Sequence, residues 1–289
     1  MNSRWHGSIL VLLSAVCYGF LPIFARLAYA GGAEVQELLF VRFVISFIII
    51  GAFLIFVRRM HLPSRRQLVI LIGLGAVGYF LQSSFYFLSL LYVPVAVTAL
   101  VLYTYPAFVT TASFALGFER ASLRVVASLA LALIGLALVA NPALDLDGRG
   151  VIFAFAAAIT YTCFILISSR ELKDVKGELS TFYIMGGSAV SFGIYGSATG
   201  GLGIGWGTDV WLWVVMISVV STCLALTLFF RGLRIIGPSR TSILSTMELI
   251  TSVVVAAIVF RELLTFMQLV GGGMILTAAI LAALGEGRT

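Results

Sequence analysis

The chain has 289 residues, of which 61% are hydrophobic and only 10% are charged, with a formal net charge of +6 at pH 7. Soluble domains contain roughly 45–50% apolar and about 25% charged residues, so the composition excludes an ordinary soluble protein. The mean hydropathy of +1.12 indicates a polytopic membrane protein whose main solvent is the lipid bilayer. The basic residues form short clusters between apolar stretches, which indicates membrane topology and not binding to nucleic acid.

Ten apolar stretches follow one another, each close to the ~20 residues that an α-helix needs to cross the hydrocarbon layer. In chain order, the predicted spans 1 to 10 are Gly7–Ala28, Val35–Val57, Leu68–Ser89, Pro94–Leu116, Leu123–Ala140, Gly150–Ser168, Ser180–Thr199, Val210–Phe230, Pro238–Val259 and Phe266–Leu284. The first stretch is too long for a signal-peptide core and lacks a clean cleavage site, so we expect an uncleaved helix. Cys17, Cys163 and Cys223 all fall inside spans and form no CxxC pair, so we expect them to pack as small apolar residues.

Lysine and arginine are distributed unequally between the two ends of the predicted spans. Fourteen of the 18 basic residues lie at the end that also carries both termini, which we call the basic face. Arg26, Arg149 and Arg261 lie at the opposite face, and Arg42 lies inside span 2. Positive residues favour the cytoplasmic side, so we expect a bacterial-type inner-membrane protein with both termini in the cytoplasm.

One stretch occurs twice, half a chain apart. The first copy is Val93–Glu119 and the second is Gly237–Glu262. Each copy begins at a proline, Pro94 or Pro238, continues as a membrane-length helix dotted with Ser, Thr or Tyr, and ends in an acidic–basic pair. The offset is 144 at the prolines and 143 at the closing glutamates. A repeat of this length predicts a duplicated domain, with units at 1–145 and 146–289.

Five spans in each unit make the second unit enter the membrane in the opposite direction. Spans 1 and 6 also align at an offset of 143, which places Gly7 over Gly150 and Tyr18 over Tyr161. Inverted repeats of this kind build many secondary transporters, whose substrate site lies near the midplane where the units meet. The predicted fold class is therefore an all-α integral membrane protein of ten transmembrane helices in two inverted five-helix repeats.

These features resemble the drug/metabolite transporter superfamily, in its ten-helix form with two EamA-type repeats. The resemblance rests on the glycine–tyrosine pairs of spans 1 and 6, the two prolines, the helix ending at Glu119, and the helix that carries Met247–Glu248 and ends at Glu262. It covers nearly the whole chain and implies export of amino acids, drugs or other small metabolites, with the aromatic amino-acid exporters as the nearest branch. The family's ninth helix often has Glu-Pro, whereas Leu249 follows Glu248 here, so we expect no proline kink at that point.

Polar side chains inside the spans are the candidates for a substrate site, because they are costly in lipid and tend to face the bundle interior. In span 3, four of them recur at i, i+3, i+4 and i+7, which is one helical face. The predicted substrate-binding residues, from spans 1, 3, 4, 6, 8 and 9, are Tyr18, Tyr79, Gln82, Ser83, Tyr86, Tyr103, Tyr161, Phe164, Thr222, Phe229, Ser245 and Glu248. Such a wall of rings and hydroxyls suits a small amphipathic molecule, whose apolar or cationic part can stack on the rings.

Each candidate also has a purely structural interpretation. The hydroxyls can bond their own helices, and the tyrosines can be packing residues. Glu248 can bond helix ends or hydroxyls, or it can couple protons or bind an amine. Arg42 lies about 10 Å from the end of its span, at 1.5 Å per residue, so it can snorkel to the surface, and a structural role is favoured for it. Glu248 is then the one ionised group of the wall, which disfavours phosphorylated substrates.

Structural roles are predicted for the ends of the repeats and for the glycines of spans 7 and 10. Glu119 and Glu262 are predicted to form symmetric end caps or ion pairs at a gate. Gly187 with Ser191, and Gly271–Gly273, are predicted to allow close helix packing.

Three functional classes compete. The connections of about ten residues leave no room for a nucleotide-binding domain, and the chain has no GxxxxGK[ST] motif, which favours a secondary carrier. A membrane enzyme is disfavoured because His6 and His61 lie near span ends and no HExxH or GxSxG motif occurs. A passive channel or facilitator, and a proton-coupled exporter of cationic drugs, stay open. We expect no metal or other cofactor, and as partners only the lipid bilayer and a small-molecule substrate, for a protein that acts as a monomer.

Overall fold

A computed structural model describes residues 3–58, 60, 62–93, 95–140, 147–199, 203, 205–261 and 265–284. Its helices coincide with the ten predicted spans, whose numbers we keep. Their bounds are Ser3–Gly19 and Leu21–Ala30 in span 1, Val35–Phe56 in span 2, Arg65–Gly73, Leu74–Tyr79 and Phe80–Leu90 in span 3, Val95–Leu102 and Tyr105–Ala115 in span 4, Leu123–Ala140 in span 5, Gly148–Glu171 in span 6, Gly177–Thr199 in span 7, Thr208–Ser218, Val219–Leu224 and Ala225–Ile236 in span 8, Pro238–Ser245 and Met247–Phe260 in span 9, and Phe266–Leu284 in span 10. Pro94 and Glu262 lie outside the described residues.

Eight of the described helices are long and apolar enough to cross a membrane, and span 5 is apolar but shorter. The helix of span 7 is long, but Gly, Ser and Thr make up much of it. Its hydroxyls bond their own helix, as Thr181 Oγ1 does to the Gly177 carbonyl at 2.9 Å and Ser188 Oγ to the Ile184 carbonyl at 3.0 Å. Bonded in this way, they can lie inside a membrane bundle. The predicted all-α membrane fold is confirmed.

The strongest helix pairs all join one half of the chain to the other. Span 5 packs on span 10, span 1 on span 8, span 2 on span 7, and span 3 on span 6. Exchanging every span for its repeat partner turns the 1–8 pair into the 6–3 pair and leaves the 2–7 and 5–10 pairs unchanged. This is the relation expected of two inverted repeats about a pseudo-twofold axis in the membrane plane.

The repeated glycines make the same contact in each half. A Cβ on Gly7 would lie 2.7 Å from Ile236 Cγ2, and a Cβ on Gly150 would lie 2.8 Å from Val93 Cγ1. The two partners, Val93 and Ile236, are separated by the same 143 positions as the glycines. The alignment of spans 1 and 6 therefore reflects a duplicated packing contact.

Spans 5 and 10 approach closely at two glycines. A Cβ on Gly135 would lie 2.6 Å from the Gly271 carbonyl oxygen, and a Cβ on Gly271 would lie 2.9 Å from Leu138 Cβ. At Gly272 and Gly273, an added Cβ would meet no described atom within 4 Å. The close packing predicted for this glycine run is therefore found at Gly271 alone.

Span 7 packs closely on span 3, where the helix of span 3 is interrupted by the π-helical turn Leu74–Tyr79. A Cβ on Gly187 would lie 2.6 Å from the Ile72 carbonyl oxygen, and Ser191 Oγ donates to the Ala76 carbonyl at 2.8 Å. The close packing predicted for Gly187 and Ser191 is found here. Span 8, the repeat partner of span 3, carries a matching π-helical turn at Val219–Leu224; such turns are frequent at functional sites.

Spans 4 and 9 are both broken near the middle of the bundle. Between the two helical segments of span 4, Thr104 Oγ1 donates to the Val101 carbonyl at 2.6 Å. In span 9, Thr246 Oγ1 donates to the Ile243 carbonyl at 2.7 Å. Pro106 follows the first break, whereas no proline follows the second. Span 9 thus has no proline kink at Leu249, as expected, yet it breaks one turn earlier at a threonine.

Candidate functional site

A cavity of about 290 Å³ lies between the two halves. Spans 1, 2, 3, 4, 6 and 9 form its wall. Its lining residues are Tyr18, Leu21, Pro22, Leu39, Arg42, Tyr79, Gln82, Ser83, Tyr86, Phe87, Ala99, Leu102, Tyr103, Tyr105, Tyr161, Glu248, Leu249 and Ser252. The wall therefore combines aromatic rings, a few small polar groups and two ionisable side chains of opposite charge.

The cavity extends from the middle of the bundle toward the opposite face. Glu248 is about 15 Å from the start of span 9 at Pro238, at 1.5 Å per residue, which places it near the midplane. Tyr18 and Tyr161 also lie near the middle of spans 1 and 6. Leu39 lies near the end of span 2 at the opposite face, so the remaining wall continues in that direction.

The bundle between the cavity and the basic face is tightly packed. Ile165 in span 6, Phe229 in span 8, and Ile243 and Leu244 in span 9 are at most 1% exposed. Ile165, Ile243 and Leu244 lie on the basic-face side of the cavity wall in their own helices, and Phe229 lies near the basic-face end of span 8. Buried side chains therefore separate this cavity from the basic face, and the cavity lies on the other side of the midplane.

Six tyrosines contribute to the wall. The rings of Tyr105 and Tyr161 meet edge to face, with centroids 4.7 Å apart, and Tyr103 lies 6.2 Å from Tyr105. The other three tyrosines of the wall are Tyr18, Tyr79 and Tyr86. Tyr105 was missed among the sequence-based candidates, although it is the repeat partner of Glu248 at the 143-residue offset, and that offset could have revealed it.

Glu248 is half-buried at the wall, just past the break in span 9. Its carboxylate interacts electrostatically with the Tyr103 hydroxyl and with Arg42. One turn further on, Ser252 Oγ donates to the Gly19 carbonyl of span 1 at 2.9 Å, where span 1 is itself interrupted. The carboxylate is therefore held beside two irregular helix segments, where it can meet a ligand.

Arg42 also belongs to the wall, and it does not snorkel to the surface, although its position in span 2 would allow it. Its side chain is buried, with 4% of the residue exposed. Its Nε donates to Thr222 Oγ1 at 2.7 Å, whereas Nη2 has no hydrogen-bond partner within the described part of the chain. The bond to Thr222 holds the side chain inward. Glu248 is therefore not the one ionisable group of the wall, and the argument against phosphorylated substrates that rested on this loses its basis.

Eight of the twelve residues predicted to bind substrate line the cavity, and the other four do not. Phe164 lies behind the wall, with its ring 5.7 Å from Tyr79 and 6.0 Å from Tyr161. Phe229 is buried against Phe230. Thr222 holds Arg42, and Ser245 Oγ donates to the Thr241 carbonyl of its own helix at 2.9 Å.

Span 2 occupies the place in the wall that was predicted for span 8. Ser221 Oγ of span 8 donates to the Cys17 carbonyl of span 1 at 2.8 Å, whereas Ser218 Oγ donates to the Val214 carbonyl of its own helix at 2.8 Å. Ser46 Oγ in span 2 donates to the Ser218 carbonyl at 3.2 Å. Span 8 is thus tied to spans 1 and 2, and its polar face packs there because helix–helix hydrogen bonds satisfy it.

Glu119 joins the two halves at the basic face. Its carboxylate accepts hydrogen bonds from Ser113 Oγ of its own half at 2.9 Å, and from the Ser239 amide of the other half at 3.2 Å. The Ser239 hydroxyl donates to the same oxygen. Ser239 is in the first turn of span 9, so the carboxylate also meets the positive end of that helix. Its predicted partner in the repeat, Glu262, lies outside the described residues.

Comparison with known proteins gives two matches along the chain to one family. The EamA-like transporter family matches residues 5–141 and again residues 148–284. An uncharacterized transporter of Archaeoglobus fulgidus (strain ATCC 49558) is 30% identical over 277 residues, which cover 96% of each chain. The uncharacterized transporter YcbK of Bacillus subtilis (strain 168) is 23% identical over 286 residues, covering 92% of this chain and 89% of its own. A crystal structure with a TM-score of 0.82 and 19% identity covers 96% of each chain and shares the fold.

Proposed function

The chain belongs to the EamA-like transporter family, and on that premise we propose that it is a secondary carrier that moves small amphipathic metabolites by alternating access. The family is one of membrane transporters, which points to transport and not to catalysis. The observation that carries the proposal is the cavity between the two inverted halves, with a packed bundle on its basic-face side.

The asymmetry about the midplane favours a carrier over a pore. A passive pore needs a continuous path, with selectivity groups arranged around it. Here the path from the cavity to the basic face is filled by side chains such as Ile165 and Ile243, which are fully buried. Because the halves are related by inversion, exchange of their conformations would close the present cavity and open an equivalent one on the basic face.

The substrates proposed are amino acids with aromatic or other neutral side chains. Six tyrosines offer faces and edges for an apolar or aromatic group. Gln82 and the charged residues of the wall offer partners for polar groups. An exporter of cationic drugs is supported less well, since Arg42 places a like charge in the same cavity.

We further propose an orientation. With the basic face in the cytoplasm, both termini are cytoplasmic and the structure is the outward-facing state of a multi-pass protein of the inner membrane. Reporter fusions to each terminus test this assignment, and termini on different sides of the membrane would contradict it.

The proposed activity is tested with purified protein in liposomes, by uptake of labelled phenylalanine, leucine and glutamate. A carrier gives saturable uptake and counterflow, in which unlabelled substrate trapped inside accelerates entry of the label. Tyr79→Ala and Gln82→Ala, at the wall, should change the KM or the order of substrates. Flux that does not saturate and shows no counterflow would favour a channel. If transport were unaltered in both variants, the proposed location of the substrate site would be wrong.

A further inference from the structure

The guanidinium of Arg42 is fixed at one edge and unpaired at another. Nε is bonded to Thr222 Oγ1 at 2.7 Å, and the guanidinium carbon lies 5.2 Å from the centroid of the Phe43 ring. The buried Nη2 has no hydrogen-bond partner within the described ranges. An unmade bond on a buried charged donor is costly, so a buried arginine of this kind calls for an anionic group that visits the site.

We propose that Arg42 is the residue that recognises the substrate carboxylate, so that the cavity takes α-amino acids as zwitterions and selects against their decarboxylated and amidated analogues. This rests on the proposed function and names the substrate class of the same site. The planar fork of an arginine donates two parallel hydrogen bonds to a carboxylate, which makes the contact both strong and directional.

The charges of the wall match a zwitterion. Among the residues that the structure describes, the titratable side chains that line the cavity are Arg42, Glu248 and tyrosines, which gives one positive and one negative fixed charge. A ligand with one carboxylate and one ammonium group would neutralise both, with Glu248 as the partner of the ammonium. A phosphate dianion would bring a second negative charge toward Glu248, and a simple amine would leave Arg42 unpaired.

The experiment compares three ligands that differ in one group: phenylalanine, phenylalanine amide and 3-phenylpropionate. Binding is measured by calorimetry on the purified full-length protein, and transport by competition in liposomes. The wild type should bind phenylalanine about 10-fold or more tightly than the amide, since hydrogen bonds to charged groups are worth this much. Arg42→Gln should weaken the binding of phenylalanine about 10-fold, while the affinity for the amide changes less than about 2-fold. Arg42→Lys should give an intermediate loss, because the ammonium keeps the charge without the fork.

Glu248→Gln provides the reciprocal test: it should weaken the binding of phenylalanine and leave the affinity for 3-phenylpropionate unchanged. Arg26→Gln is the matched control, because Arg26 also lies in a span but stacks 4.0 Å over the Phe260 ring outside the cavity wall. That variant should bind all three ligands as the wild type does.

The outcomes separate the two proposals. If phenylalanine is transported but Arg42→Gln weakens phenylalanine and its amide equally, the carboxylate assignment is overturned and the carrier stands. A wild-type preference for phenylalanine over the amide below about 2-fold overturns it as well, whether or not the variant folds. If the wild type neither binds nor transports any of the three, the proposed substrate class fails together with Arg42's role.

Discussion

Removing the Glu119 carboxylate should open the basic face. In the present state, Glu119 is bonded to the Ser239 amide and hydroxyl across the two halves, whereas its bond to Ser113 stays within one half. When the halves separate at this face, the cross-half bonds are lost and the bond to Ser113 can persist. Glu119→Ala should therefore destabilise the closed state more than the open one.

The size of the shift follows from those two bonds. Hydrogen bonds to a charged acceptor contribute about 1.5–3 kcal/mol each when the group is removed. Water at the membrane surface satisfies part of this in the open state, so we take about 2 kcal/mol for both bonds together, which is a factor of about 30 in the equilibrium. An open state that holds about 1% of the wild type would rise to about a quarter of the molecules.

Spin labels report this shift directly. In a background without Cys17, Cys163 and Cys223, labels at Arg124→Cys and Arg234→Cys mark the exposed basic face of the two halves. Electron–electron distance measurements in nanodiscs should show a longer distance gaining population in Glu119→Ala. If Glu119→Ala and the labelled protein with Glu119 gave the same distance distribution, the proposed role of Glu119 in keeping the basic face closed would be refuted.

Glu171→Ala is the matched control for Glu119→Ala. It removes a carboxylate from the same face. That carboxylate forms an ion pair with Arg66 at 2.7 Å, and the Arg66 side chain is 77% exposed. Surface ion pairs of this kind contribute about 0–1 kcal/mol, so the control should leave the distances unchanged.

The remaining predictions concern coupling and packing. If transport is driven by a pH gradient, Glu248→Gln should abolish that dependence while leaving counterflow measurable, and an unchanged dependence would remove Glu248 from proton coupling. Gly271→Ala should lower the free energy of unfolding by about 1–3 kcal/mol, since its Cβ would lie 2.9 Å from Leu138 Cβ. Gly272→Ala, where no described atom lies within 4 Å, should be neutral or stabilising by up to about 1 kcal/mol. Thermal unfolding in detergent compares the two glycine variants, and equal midpoints would contradict the packing argument.

The positions of the spans follow closely from the sequence. Span 5 (Leu123–Ala140) and span 10 (Phe266–Leu284) have the same bounds in prediction and structure, and the bounds of the other spans differ by at most six residues. A bilayer makes this possible, because the length and apolarity of each stretch, read locally, decide whether it crosses. The repeat offset was also predicted from the sequence, and the structure shows Gly7 and Gly150 in matching contacts at that offset.

Which polar side chains face the cavity was predicted only in part. Span 3 presents Tyr79, Gln82, Ser83 and Tyr86 to the cavity, as the spacing of a single helical face predicts. Span 8 has an equally polar face that is used to hold spans 1 and 2. A hydroxyl in a span can bind a neighbouring helix or a ligand, and its spacing along the chain is the same in either case.

By itself, then, the sequence determined the membrane class, the ten spans and their duplication, because these depend on local apolarity and on repeated spacing. The tertiary structure alone decided that Arg42 turns inward, because that depends on Thr222, which is 180 positions away in the chain and accepts its Nε–H. The breaks at Thr104 and Thr246 were also seen only in the structure, since each threonine bonds a carbonyl three residues earlier, as it could in a continuous helix. The long-range contact between Arg42 and Thr222 sets the charge of the cavity, and the proposed substrate class depends on that charge.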